Sequence, residues 1–180
     1  MQTRIYTTKK LEKFVKKLIQ NEQVDQSDRG SILGDWNATL FYVDRKKCLL
    51  FTNKKTKYNV ILSNIRAADL NKIGDLFKNA FYSQLIYDGI FSTFDHIEAL
   101  TGDLIFKSTD NDRSTLGFQN NSLSNWDWWK DEFVTLENMP MKELTGRINS
   151  VPIHLTKSKK MDDFTYSSTA MKKLILSQNF

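Results

Sequence analysis

One thiol, two imidazoles and a short carboxylate-rich run are the side chains of this sequence that could do covalent or acid–base chemistry. Cys48 is the single cysteine, and His96 and His154 are the two histidines. A thiol nucleophile needs an exposed thiolate beside a base. Cys48 instead opens Cys48-Leu49-Leu50-Phe51, the most apolar run of the chain, and reads as an inert core or edge thiol. The two histidines stand 58 positions apart and share no local motif. A lone histidine of that kind is read as structural before it is read as a general base. Asp110-Asn111-Asp112-Arg113-Ser114 suggests a calcium loop, but with Asp110 at position 1 the glycine of position 6 is Thr115 and the bidentate glutamate of position 12 is Asn121. A two-metal nuclease needs several convergent carboxylates, and Asp103, Asp110 and Asp112 are the compact candidates. Asp110 or Asp112 is better placed to cap a following helix, where its charge meets the positive end of the dipole. No glycine-rich phosphate loop, nucleophile elbow or zinc-protease helix motif occurs. One cysteine and two histidines cannot fill a structural zinc site. The expectation is a non-enzymatic protein with no catalytic residues, no metal and no cofactor.

The remaining chemistry is that of surfaces. The 180 residues carry 26 Lys+Arg against 21 Asp+Glu, a net charge of +5, unevenly spread. Residues 1–60 hold 13 basic and 6 acidic side chains, residues 61–150 hold 8 and 13, and residues 151–180 hold 5 and 2. The basic candidates for contact with nucleic acid or an acidic surface are Lys9, Lys13, Lys16 and Lys17, then Arg45, Lys46 and Lys47, then Lys54, Lys55 and Lys57, and in the tail Lys157, Lys159 and Lys160. Lys is the commoner solubilising residue and a poorer bidentate reader than Arg, so part of this charge is expected to be plain solvated surface. In Trp126-Asp127-Trp128-Trp129, helical spacing puts Trp126, Trp129 and Phe133 on one apolar face. It turns Trp128 about 100° from Trp129, beside Ser124 and Glu132 on the polar side. Trp128 and Glu132, with Asp103, Asp110 and Asp112, are the protein-binding candidates.

These side chains need elements to hold them. Thr7 or Thr8 can cap a helix whose apolar positions are Leu11, Phe14, Val15, Leu18 and Ile19. Its other face carries Lys9, Lys10, Lys13, Lys16 and Lys17. Residues 21–34 read as a loop. Residues 36–43, 48–52 and 58–62 read as three strands joined by two basic turns. Consecutive turns of a meander lie at opposite ends, about 17–20 Å apart for strands of five or six residues, so they form no single tight patch unless the Lys9–Lys17 face joins them. A helix follows over 68–87, a strand over 104–106, a polar loop over 107–112, and a helix interrupted near Asn120-Asn121 that resumes through 124–133. Residues 136–165 carry no clear pattern, and 166–176 end the chain as a helix. The fold class expected is α+β: a small antiparallel β-meander against amphipathic helices. Residues 1–146 form one domain, and 147–180 form a Lys-rich extension whose helix packs on it.

No run approaches 18 apolar residues, no apolar signal region precedes Lys9-Lys10, and one cysteine suits a reducing compartment, so a soluble cytoplasmic protein without membrane contact is expected. Thr8-Lys9-Lys10-Leu11, Gly34-Asp35-Trp36-Asn37-Ala38-Thr39-Leu40-Phe41, Lys47-Cys48-Leu49-Leu50-Phe51-Thr52-Asn53, Asp112-Arg113-Ser114-Thr115-Leu116-Gly117 and Asn138-Met139-Pro140-Met141-Lys142 recur in this order. Together they resemble an uncharacterised domain family of bacteria, phages and other mobile elements. The resemblance implies a mobile-element context and no settled activity, and it departs after Gly146. The functional expectation is a phage or mobile-element protein that inhibits a host nucleic-acid-processing defence nuclease, in the manner of an anti-CRISPR, by direct protein binding and with RNA contact through its lysines. The alternatives are an RNA- or DNA-binding module using the Lys-rich surfaces, and a housekeeping or toxin–antitoxin-type partner protein.

Overall fold

Side-chain alternation along the central strands sorts their residues between two cores. The computed structural model describes residues 1–20, 30–155 and 163–177. In β2 (Trp36–Val43), Trp36, Ala38 and Leu40 face one core while Phe41 and Val43 face the other. In β3 (Lys46–Asn53), Leu49 and Phe51 face the first core, and Cys48 and Leu50 the second. A strand covered on both faces must be apolar at successive positions, which is why 48–51 shows no alternation. β2 and β3 are joined by a two-residue turn in which Asp44 and Arg45 both have positive φ, the twist that suits a tight hairpin. β4 (Asn59–Leu62) pairs antiparallel with β3 and completes the meander.

The α+β class stands, but the meander supplies only three of five strands. β1 (Gln2–Thr7) pairs parallel with β2 on one side and with β5 (Asp103–Lys107) on the other, giving a mixed sheet in the order β4-β3-β2-β1-β5. The inward residues of β1 are Thr3, Ile5 and Thr7, so a central strand carries little apolar signal. β6 (Pro152–His154) and β7 (Phe164–Tyr166) form a separate antiparallel pair.

The first core lies under α1 (Lys9–Phe14), α2 (Ile73–Tyr87), α3 (Phe94–Thr101) and α6 (Ser167–Leu176). Its centre is Trp36, edge-on to Phe77 at 5.1 Å and to Phe81 at 5.3 Å. Met171 and Ile175 of α6 are buried in this same core, so the C-terminal helix and the N-terminal strands share one interior. The second core lies under α4 (Arg113–Phe133) and α5 (Met141–Asn149).

Several local expectations change. The helix expected to reach Ile19 stops at Phe14 and tightens into a 3₁₀ turn over Lys16–Leu18. α4 runs unbroken through Asn120-Asn121, because buried Gln119 donates to the Asn37 carbonyl at 3.0 Å and Trp126 anchors the next turns. Tertiary contacts there outweigh the weak helix preference of Asn. α3 was not anticipated; it ends at Gly102, whose φ of 61° and whose absent Cβ, which would sit 2.1 Å from the Met1 carbonyl oxygen, let the chain turn into β5. α5 fills the segment without a clear pattern, between Pro140 and Pro152, and the expected domain boundary at residue 146 falls inside it.

Candidate functional site

The groups with reactive chemistry are dispersed. Cys48 is fully buried, and burial pushes its thiol up. His96 lies half-buried on α3 with its Nδ1 3.1 Å from Ser92 Oγ, and His154 is exposed on β6. Asp103 is exposed at the start of β5. Asp110 forms an ion pair with Lys54. Asp112 caps α4, its Oδ1 accepting from the Ser114 and Thr115 amides at 3.1 and 3.2 Å. Burial alone would raise the Asp112 carboxyl, but the Thr115 hydroxyl and amide and then Lys57 and Lys54 outweigh it and hold the group below its ordinary value. Among the described residues no group of three or more His, Cys, Asp or Glu is placed to hold a metal ion.

The basic candidates divide into engaged and open. Lys54 sits 3.9 Å above the Tyr6 ring as well as against Asp110. Lys55 donates to the Ile32 carbonyl at 3.1 Å, and Lys57 to Thr115 Oγ1 at 2.7 Å. The three lysines of the second basic turn are therefore each held by a partner within the fold. Lys46 pairs with Asp44 and Glu137. Lys9, Lys13, Lys16, Lys17 and Arg45 are exposed. Lys10 stands 5.0 Å over Tyr42, and Lys47 stands 5.3 Å over Phe14, so α1 gathers the lysine of the first turn and leaves the second turn out. Two clefts flank α1. One, of about 590 Å³, is lined by Lys9, Lys10, Tyr42 and Lys47; the other, of about 580 Å³, by Lys13, Lys16, Ser108 and Thr109. Lys157, Lys159 and Lys160 lie outside the described residues.

Trp126 and Trp128 of α4 lie about 200° apart around the helix, on opposite faces. Trp126 is fully buried, 5.4 Å from Phe41 and 5.2 Å from Trp129. Trp128 is 80% exposed. Asp127, Asp131 and Glu132, one to four positions away, are exposed too, with Asp127 held by Lys130 at 2.8 Å. The acidic ground around Trp128 thus comes from its own helix. Asp110 and Asp112 are engaged within the fold, by Lys54 and by the α4 cap.

A groove that sequence reasoning missed runs along the first half of α4. It has a volume of about 700 Å³ and is walled by Ser114, Phe118, Asn121 and Asn125 on one side and by Val151 to His154 on the other, with Lys57 also lining it. The signal was the charge-free stripe Ser114, Phe118, Asn121 and Asn125 at helical spacing in a chain that is 26% charged. The opposing wall was invisible because α5 and β6 carry no clear local pattern.

A family model described as a domain of unknown function (DUF6933) matches residues 4–170. No curated protein and no solved structure matches the chain.

Proposed function

The chain belongs to this DUF6933 family, whose description assigns no activity, and on that premise we propose that it works by surface binding, docking Trp128 on a basic face of a host nucleic-acid-processing defence nuclease and thereby inhibiting it. The observation that carries this reading is the 80% exposure of Trp128 among the carboxylates of Asp127, Asp131 and Glu132. A large aromatic anchor inside a charged rim is the composition of an interface centre, and the charge selects a basic partner and speeds encounter. Nucleases present such basic faces because they must hold phosphate. The mobile-element setting comes from the sequence resemblance.

Purified RNA-guided effector nuclease, titrated with this protein, is expected to lose cleavage activity stoichiometrically. Trp128→Ala should weaken the complex by roughly thirty-fold or more, the scale of an interface hot spot. Unimpaired cleavage at excess protein, together with unimpaired host immunity on overexpression, would overturn the reading. Capture through Trp128 of a host protein that is not a nuclease would make it a partner protein of the housekeeping or toxin–antitoxin kind instead.

The open lysines of α1 favour a second reading, direct contact with RNA or DNA. Lys9, Lys13 and Lys16 are exposed along two clefts, one of which also holds Tyr42, and Lys17 is exposed next to Lys16, a cationic track with an aromatic at hand. In a gel-shift assay at about 50 mM salt, the triple variant Lys13→Glu, Lys16→Glu, Lys17→Glu should abolish any complex irrespective of sequence, and wild-type affinity should fall steeply with salt. No complex at that salt with single- or double-stranded nucleic acid removes this reading.

A further inference from the structure

The groove along α4 is chemically unlike both charged surfaces. Ser114, Phe118, Asn121 and Asn125 repeat at three- and four-residue steps, so they line one side of the helix over about 16 Å. Facing them are Val151, Pro152, Ile153 and His154. Among the described residues, the side chains of Ser114, Asn121, Asn125 and His154 make no hydrogen bond to the protein, so their donors and acceptors are open to whatever enters. The walls pair an aromatic ring with aliphatic side chains, which suits a flat ligand. The amides offer a donor beside an acceptor, the pair that reads the edge of a base.

Charge narrows the ligand further. Among the described residues Lys57 is the one ammonium lining the groove, and Thr115 Oγ1 accepts from it at 2.7 Å and in turn donates to Asp112 Oδ2 at 2.6 Å. Asp112 also takes the Ser114 and Thr115 amides of the first α4 turn. This cation and the helix N-terminus are both already answered by one carboxylate, so among the described residues little remains to attract a phosphate. Past Asn125 the same side of α4 continues to Trp128 and Glu132, with Asp127 and Asp131 close by, and these carboxylates repel a following phosphodiester.

We infer that this groove binds a purine nucleoside, the base lying against Phe118 with its edge taken by Asn121 and Asn125. Recognition is by the base and is indifferent to phosphate. The source is either a free nucleotide or an unpaired nucleotide of a strand, and the acidic end of the groove favours the free form. Neither a protein partner nor the α1 lysines are required.

Adenosine and AMP, titrated separately into the full-length protein and followed by amide chemical shifts, should perturb α4 with affinities in the high-micromolar to millimolar range that agree within about three-fold. Asn121→Ala and Asn125→Ala should each weaken both ligands about ten-fold, the scale of a lost bidentate base contact. Both positions are exposed, so folding is kept, and Asn120→Ala on the far side of the helix should change nothing. A short oligoadenylate that binds no tighter than AMP supports the free nucleotide, and one that gains affinity with length supports the same base site with a strand as its source. Absence of α4 shifts with either ligand overturns the inference. So does unaltered binding in the double variant, and so does AMP binding that is lost in Lys57→Gln while adenosine fails to bind.

Discussion

Trp126→Ala is expected to destabilise the protein by about 3–5 kcal/mol, while Trp128→Ala two positions on changes stability by less than about 0.5 kcal/mol. Trp126 is fully buried against Phe41 and Trp129 and fills the centre of the smaller core, with Leu50, Leu144 and Ile148 around it. Its removal leaves a large cavity between sheet and helices that rigid neighbours can only partly close. A domain stable by about 5–15 kcal/mol would lose between about a fifth and all of that margin. Trp126 Nε1 has no hydrogen-bond partner, so the loss is one of packing. Trp126→Phe should therefore cost less than about 1.5 kcal/mol, because it keeps a ring in place and removes an unanswered N–H. Urea unfolding of the three variants checks this, and equal midpoints for Trp126→Ala and Trp128→Ala would refute the assignment of faces.

Asn149→Ala is expected to cost about 3 kcal/mol or more, although it removes only a small polar group. Asn149 is fully buried at the end of α5. Its Oδ1 accepts from the Asn59 amide at 2.8 Å and from Asn59 Nδ2 at 3.2 Å. Its Nδ2 donates to the Asn59 carbonyl at 3.2 Å and to Asp88 Oδ2 at 3.0 Å. Asp88 Oδ2 also accepts from the Tyr58 hydroxyl at 2.6 Å, and Asp88 Oδ1 from Gln84 Nε2 at 3.0 Å. One side chain thus joins β4, α2 and α5, and its loss strands buried donors and acceptors of Asn59 far from water. The same network sets an alkaline limit. Burial, then the charge and hydrogen bond of Asp88, hold the Tyr58 phenol well above its ordinary 10.0. The unfolded phenol ionises first, so this contribution is whole below pH 10 and is lost as pH rises beyond it. Thermal melts across that range should show Asn149→Ala unfolding far below wild type, and Tyr58→Phe should lose the steepest part of the alkaline decline. A wild-type-like Asn149→Ala would refute the network's role.

Much of the local order was legible along the chain. The strands 36–43, 48–52 and 58–62, a cap at Thr7 or Thr8 and another at Asp110 or Asp112, which the structure places at Thr8 and Asp112, and the opposite facing of Trp126 and Trp128 all follow from periods of 2 and 3.6 residues and from side chains that reach two or three positions. Such rules are set by backbone geometry and need no partner. The tertiary structure alone decided what depends on residues far apart. β1 is central because β5, about a hundred positions later, pairs parallel beside it, and parallel pairing leaves no turn to read. Lys54, Lys55 and Lys57 look as free as Lys13 and Lys16 in the sequence, yet they are tied to Asp110, Ile32 and Thr115, and only the fold brings those groups within reach. The α4 groove exists because β6 lies opposite a helix some thirty residues earlier. Charge and hydrogen bonding act over a few ångströms, so which groups remain open is settled only when the chain has brought distant segments that close.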